Sequence, residues 1–580
     1  MNNFFKNILS SAIGVILAIF MFMGSILILI MISGLINLIF NGKEKIEPNS
    51  IVKIKMDYPI SDKPDTNPFA NFNPLGEFEP NNSVHLYKII KSIERAAENE
   101  NVIGILLDLR GFMSPGLASI KEIRDALQSF KQEGKFIYSY STVYGKSAYY
   151  LGSVADSMFM YPTGGMELMG LSSTTPFFTE TMQEIGIKPE IIRHGKFKAA
   201  VEPFMLTEMS EENREQTQTL LDDIWGTMLK DIAESRNLTI SNLNELADNP
   251  IVSVLPKKTV QGGLIDVLIY PDDLTNLLRK KINKTEDEEL DFISLSKLEP
   301  KKNKAKNKVA IIYAEGEING NEIHSGYTKT IKKVLDDDDI DAVVFRVNSP
   351  GGSALISDEI LSQMKLSKKE KPIVVSMGNY AASGGYYISC AADKILASPM
   401  TITGSIGVFG LFFTGEELLT DKMKLHYSNV KTNRFSNVGE LHRNLSSEEK
   451  EFMQISVENI YNDFITHVSE GRNMSIQEVD AIGQGRVWTG LRGLEIALVD
   501  SLGGLTDAIK TAAQLANIEE FQIEEFPKTK NGIEAFFEKL EKTKQLNGKK
   551  IEDIYIEQVK RKLLQMQGIQ ALLPVKYNID

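Results

Sequence analysis

Residues 372–407 read PIVVSMGNYAASGGYYISCAADKILASPMTITGSIG, and the parsing of this stretch decides the fold of the C-terminal half of the chain. The apolar run from Ile373 to Val375 has the composition of a buried strand, and small residues then lead into Ser383-Gly384-Gly385. Tyr386, Tyr387, Cys390 and Ala391 follow at helical spacing. A serine at such a junction stands beside first-turn N–H groups that lack intrahelical partners and carry partial positive charge. Gly384 and Gly385 leave those donors open to an approaching carbonyl. The same residues also suit a helix N-cap serine with packing glycines. Nor is this a Gly-x-Ser-x-Gly elbow, because Ala381 stands where the first glycine would be. A second loop tips the balance. Residues 342–347 read as another buried strand and end in Asn348-Ser349-Pro350-Gly351-Gly352, a turn with bare backbone donors. Two strand ends thereby supply a nucleophile and an oxyanion site, the pairing that acyl transfer requires.

The stretch repeats upstream. SAYYLGSVADSMFMYP (147–162) lies over GGYYISCAADKILASP (384–399), and MSEENREQTQTLLDDIWGTMLKDIAESRNLTI (209–240) lies over SSEEKEFMQISVENIYNDFITHVSEGRNMSI (446–476). The chain is a tandem pair of related domains, each long enough for its own core. Each half runs strand, helix, strand: residues 51–56, 84–98 and 102–109 in the first, and from 309 to 347 in the second. That alternation predicts an α/β fold with mainly parallel strands. The expected parts are an anchor over 1–45, an N-terminal domain over 46–290, a Lys-rich linker over 291–308, a C-terminal domain over 309–525 and a helical extension over 526–580. Residues 58–82 read as an exposed Pro/Asn-rich loop, 533–567 as helical, and the Asp336–Asp339 run as an exposed helix end.

Composition bounds the function. The formal charge of −13 over 580 residues, with no basic stripe, argues against nucleic-acid binding. One cysteine, Cys390, excludes an internal disulfide framework and a cysteine-rich metal site, and it reads as a small core residue. No charged residue occurs between Lys6 and Lys43. That stretch exceeds the roughly 20 apolar residues that span a bilayer and the about 7–15 of a signal-peptide core, so an uncleaved anchor is expected. Near-equal flanking charge leaves its orientation open.

The mismatches between copies locate the chemistry. Ser383 lies opposite Lys146, so the first copy lacks the serine, and its loop from Arg110 to Gly116 does not reproduce Asn-Ser-Pro-Gly-Gly. A serine hydroxyl requires a base. His426 sits in a strand-like run, MKLHYSNV, while His324, His442 and His467 fall in polar or amphipathic stretches without an accompanying acid. A lysine serves if burial lowers its pKa. Lys198 is flanked by Phe197 and by Ala199, Ala200 and Val201, whereas Lys196 beside Gly195 is freer to reach water. Lys198 lies opposite Ser436, so this lysine exists only in the copy that lacks the serine. Lys146 remains a competitor. The hydroxyl of Ser405 could hold a neutral amine.

Four segments resemble one family: NSPGGS (348–353), MGNYAASGGYYIS (377–389), TGSIGVFG (403–410) and GKFKAAVEPF (195–204). The chain resembles the long, two-domain form of the signal peptide peptidase A family of Ser/Lys proteases, within the Clp protease and crotonase superfamily. The resemblance implies repeated ββα crotonase-like domains, Ser383 as nucleophile, Lys198 as general base and Ser405 as the residue orienting it. Gly384 with Gly351 or Gly352 would form the oxyanion hole. It further implies apolar peptide substrates such as signal-peptide remnants, no cofactor or metal, a homotetramer, and a single-pass inner-membrane protein with its catalytic domains on the periplasmic side. A crotonase-like acyl-CoA enzyme would use the same oxyanion geometry with a carboxylate acid or base, and a non-catalytic membrane scaffold would keep the fold alone.

Overall fold

A computed structural model describes residues 14, 17–18, 21–22, 24–25, 46–64, 83–285, 287–298, 304–367, 371–528 and 568–572. Most of the expected anchor, most of the 58–82 loop and the helix expected over 533–567 lie outside the described residues. Among the described residues, no helix is long and apolar enough to cross a membrane.

The duplication is explicit in the two large sheets. In the first, the order is Phe292–Ile293, Ser50–Lys55, Val102–Asp108, Phe136–Tyr144, Ser157–Met166 and Val267–Leu268, all parallel. In the second, Phe521–Phe526, Asn307–Glu315, Ala342–Ser349, Ile373–Ala382, Lys394–Ala397 and Ser501–Leu502 repeat that order, also parallel. These central strands are near-continuous apolar runs, as strands covered on both faces must be. The stretch read as a linker opens with a strand, because Phe292–Ile293 pairs with the first sheet. The helices Glu211–Arg236 and Ser447–Arg472 have 26 residues each. Both are N-capped by a serine, Ser210 or Ser446, and both end on a left-handed asparagine, Asn237 or Asn473.

Two expectations fail locally. Residues 423–430, the strand-like run around His426, form no strand and stand exposed. Their alternating pattern meets no partner strand, and alternation alone does not make a ladder. The helix after Ser383 is a single turn, Gly384–Tyr387, because the chain must bend at once to reach Lys394–Ala397. The Asp393 carboxylate pins that bend by accepting the Ile373 N–H at 2.8 Å.

The halves are clamped together through polar groups. Arg346 is fully buried on Ala342–Ser349, the strand that leads into the Gly351 turn. Its Nε donates to Asp62 Oδ1 at 2.8 Å and its Nη2 to Glu122 Oε1 at 2.6 Å, both in the first half. Its Nη1 donates to Ser376 at 2.9 Å. Burial pushes the Glu122 carboxyl up, and the guanidinium offsets part of that. Asn348 and Asn379 add bonds from the second half to Asp62 and Ser119. Removing one partner of such a group leaves buried charge uncompensated. Arg346→Ala should therefore lower stability by about 3–5 kcal/mol, read as a shift in the denaturation midpoint of the full chain. A loss within the range of ordinary surface substitutions would contradict the clamp.

Candidate active site

Ser383 closes the strand Ile373–Ala382 in a conformation that side-chain-bearing residues seldom adopt, φ 56° and ψ −116°. That geometry is held from both sides. Its N–H donates to the Gly404 carbonyl at 2.8 Å, and its own carbonyl accepts Tyr387 N–H at 2.8 Å. A non-glycine residue with positive φ costs on the order of 1–3 kcal/mol and persists where surrounding structure over-determines it. The result turns the Ser383 hydroxyl out of the strand line and into a fully buried pocket.

The Gly351 turn arrives beside it. Gly351 has φ 99°, and a Cβ there would stand 2.7 Å from Gly384 N. A Cβ at Gly384 would stand 3.1 Å from Gly352 N. Side chains are excluded where the two loops meet, and the backbone donors expected from the sequence converge in one place.

The lysine comes from the other half of the chain. The strand Lys188–Arg193 pairs antiparallel with Phe409–Thr414 of the second half, and His194 N–H continues the pairing onto the Val408 carbonyl at 3.1 Å. Phe197 N–H then donates to the Gln484 carbonyl at 3.0 Å, and Gln216 Nε2 donates to the Phe197 carbonyl at 3.1 Å. Gly485 lies so close that a Cβ there would sit 2.6 Å from Lys198 Cβ, so this wall of the pocket admits only glycine. After the lysine, the 3₁₀ helix Ala199–Phe204 is anchored by the buried Glu202, which accepts from Ser210 Oγ at 2.5 Å and Asn213 Nδ2 at 2.9 Å.

Lys198 is fully buried, and its Nζ lies 2.8 Å from Ser383 Oγ. Nζ also donates to the Ser405 carbonyl and to Ser405 Oγ, each at 3.1 Å, while Ser405 Oγ donates onward to the Gly485 carbonyl at 3.3 Å. A neutral amine has two N–H bonds and one lone pair. Ser405 takes both N–H bonds, which leaves the lone pair for the Ser383 hydroxyl proton. Burial drives the Lys198 pKa well below its ordinary 10.5, with no carboxylate to restore the charge. The site therefore brings an amine whose neutral form is favoured against a serine hydroxyl.

The other candidates lie elsewhere. Lys146 opens the helix Lys146–Gly152 and stands half-buried, and Lys196 packs over the Phe197 ring. His467 sits among Lys365, Asp358 and Glu470, His442 stacks on Tyr427, and His324 accepts from Gly326 N–H. Among the described residues no cluster of His, Cys, Asp or Glu suits a metal ion. The sequence reading missed Gln216, Glu202 and Gly485, which position the lysine segment. Gln216 and Glu202 carried the signal of a polar residue on an otherwise apolar or anchored face, whereas Gly485 carried none. It also missed the strand Gly568–Leu572, which lies in the groove between Gly351–Ser353 and Phe409–Thr414. This part of the extension is strand and not helix, because two open edges there need a partner.

The sequence matches the description of peptidase family S49 over residues 129–285 and 365–519, one match in each half. The chain belongs to peptidase family S49. It is a serine protease. Protease 4 of Haemophilus influenzae is 32% identical over 78% of this chain and 77% of its own length. Protease 4 of Salmonella typhi is 33% identical over 76% and 73%. The chloroplastic serine protease SPPA of Arabidopsis thaliana is 30% identical over 76% and 67%. Each covers parts of both halves of this S49 peptidase, as an alignment of this length must.

The dry lysine gives a test that needs no substrate. Below pH 10.5 the unfolded amine binds a proton that the native amine does not bind until the pH falls to its depressed pKa. Between those two values the unfolded state carries the extra proton, and this group makes native stability rise with pH. Replacing Lys198 by Met removes that dependence. The stability of Lys198→Met relative to wild type should grow as pH falls from about 10 toward 6. A difference that stays constant over this range, in denaturation measured at each pH, would show that the native amine is charged.

Proposed function

We propose that this S49 peptidase is a membrane-anchored endopeptidase that cuts apolar peptides, including signal-peptide remnants, with a Ser383/Lys198 dyad. The observation that carries the reading is the 2.8 Å contact between a neutral-favouring, carboxylate-free lysine and a buried serine contributed by the other half. Ser383 Oγ attacks the scissile carbonyl while its proton passes to Lys198 Nζ. The same proton leaves on the amine of the departing peptide, and a water then hydrolyses the ester by the reverse route. Gly384 N–H and a donor from Gly351 or Gly352 stabilise the tetrahedral oxyanion. Ser405 holds the amine through its hydroxyl and its carbonyl.

Apolar substrates fit the walls of the groove, where Ala200, Val201, Phe204, Phe409 and Leu411 form one buried cluster. Anchorage rests on the uncharged stretch between Lys6 and Lys43, and the periplasmic side and the tetramer rest on the family resemblance. The acyl-CoA alternative loses ground because the pocket offers an amine where that chemistry needs a carboxylate.

Acylation of Ser383 by a fluorophosphonate across pH 6–10 tests the dyad. Ser383→Ala should abolish labelling, and Lys198→Ala should slow it by a factor on the order of 10² to 10⁴. Lys146→Ala should have a smaller effect. Wild-type rate and pH dependence in Lys198→Ala, with both lost in Lys146→Ala, would transfer the base to Lys146.

A further inference from the structure

The loop from Gly483 to Trp488 touches both Lys198 and the serine that orients it. The Gln484 carbonyl accepts Phe197 N–H at 3.0 Å, and Gly485 lies against Lys198 with no room for a side chain. The Gly485 carbonyl accepts Ser405 Oγ at 3.3 Å, and the Arg486 carbonyl accepts Ser405 N–H at 2.7 Å. Where this loop sits therefore decides where the amine and its acceptors sit. Its backbone is strained, because Gln484 has φ 52°, a left-handed conformation that a residue with a side chain holds only where its surroundings fix it. A phenol does the fixing. Tyr461 is fully buried on the helix Ser447–Arg472, and its hydroxyl accepts Gln484 N–H at 3.2 Å while donating to Asp480 Oδ1 at 2.6 Å. The same Oδ1 accepts Gln484 Nε2 at 2.5 Å. Burial, with the Asp480 carboxylate adding to it, pushes the phenol up, so it keeps its proton and stays a donor. The Tyr461 ring also stacks on His194, in the segment leading to Lys198, with 3.8 Å between ring centres.

The duplication separates this hydroxyl from the needs of helix packing. Trp225 stands as far from the caps of Glu211–Arg236 as Tyr461 does from those of Ser447–Arg472, and Asn244 on Ile240–Ala247 matches Asp480 on Ile476–Ile482. Trp225 Nε1 donates to Asn244 Oδ1 at 3.0 Å, so the first copy keeps the bond between its two helices. An indole N–H only donates, whereas a phenol hydroxyl donates and accepts. The accepting lone pair, the one that receives Gln484 N–H, exists only in the copy that holds the serine. We infer that Tyr461 is a positioning residue for acylation, its hydroxyl holding the Gln484–Gly485 backbone where Lys198 and Ser405 need it. The inference rests on the Ser383/Lys198 chemistry proposed above. Tyr461 acts through that backbone and not on the reacting atoms. Without the hydroxyl the loop loosens and water moves toward the amine, which lowers the cost of the ammonium and raises the pH at which the amine becomes neutral.

Tyr461→Phe in the full chain keeps the ring on His194 and removes only the hydroxyl. The experiment follows acylation of Ser383 by a fluorophosphonate from pH 6 to 10 in wild type and variant, with kcat and KM for an apolar peptide, all read below each protein's denaturation midpoint. Tyr461→Phe should acylate about 10- to 100-fold more slowly, as a small displacement of a reacting group produces. The loss should fall on kcat with KM unchanged, and the rate should rise with pH at a higher midpoint than in wild type. Wild-type rate and pH dependence in Tyr461→Phe overturn the inference and leave the dyad standing. A slower rate with the wild-type pH dependence, or a loss confined to KM, also overturns it, because a merely structural role or a substrate contact would give those results. Wild type that labels no better than Ser383→Ala overturns the dyad chemistry and this inference together.

Discussion

A lysine amine without a carboxylate partner, sealed from water, is the constraint on which the rest of this structure depends. Burying an ammonium costs far more than burying an amine, so the pocket selects the neutral form simply by being dry. Dryness demands close walls, and these come from far apart in the chain: Phe197 and Ala199 beside the lysine, Gly485 against its Cβ, and Ser405 at its tip. Ser405 supplies two acceptors, which satisfy the amine's N–H groups without introducing a negative charge that would restore the proton. A carboxylate at that position would hold the lysine charged.

Duplication supplies a way to build such a pocket. One α/β unit presents a strand end with a strained serine, and the other keeps the same sheet while giving up the serine. The first half is then free to send the segment after Lys188–Arg193 across the junction as a third wall. Because the serine and the amine belong to different halves, their 2.8 Å separation is only as exact as the junction between them. That accounts for the polar investment there. Arg346 fastens the strand that carries the Gly351 turn to Asp62 and Glu122, and Gln216 binds both the Phe197 carbonyl and Val487 N–H.

What was legible in the sequence was whatever left a local or a repeated trace. Ser383 showed as a small-residue junction after an apolar strand. Lys198 showed because comparison of the copies left it facing Ser436, so that the lysine exists only in the copy that lacks the serine. The mainly parallel α/β character of both halves followed from the alternation of elements and from the repeat. Ser405 was legible as a hydroxyl, but its carbonyl is backbone, and any residue has one. The Arg346 cluster was not legible, since Asp62 and Glu122 meet it only through the tertiary fold. The run around His426 misled because period-2 alternation describes a surface loop as well as a strand. Gly568–Leu572 was hidden for the opposite reason, because its strand character comes from the two edges that receive it and not from its own residues.

The groove and the dry pocket share a wall, and this links specificity to catalysis. Ala200, Val201 and Phe204 belong to the 3₁₀ turn that follows Lys198, and Leu572 packs against the same cluster. An apolar residue seated where Leu572 lies therefore covers the segment that carries Lys198. A polar residue there would bring water toward Lys198 and stabilise its protonated form. For the apolar peptides proposed as substrates, this one surface would act in two ways: burial of apolar area on binding, and preservation of the neutral amine during the reaction. The second acts on the rate of acylation more than on binding, so an apolar residue at this position should raise kcat as well as lower KM.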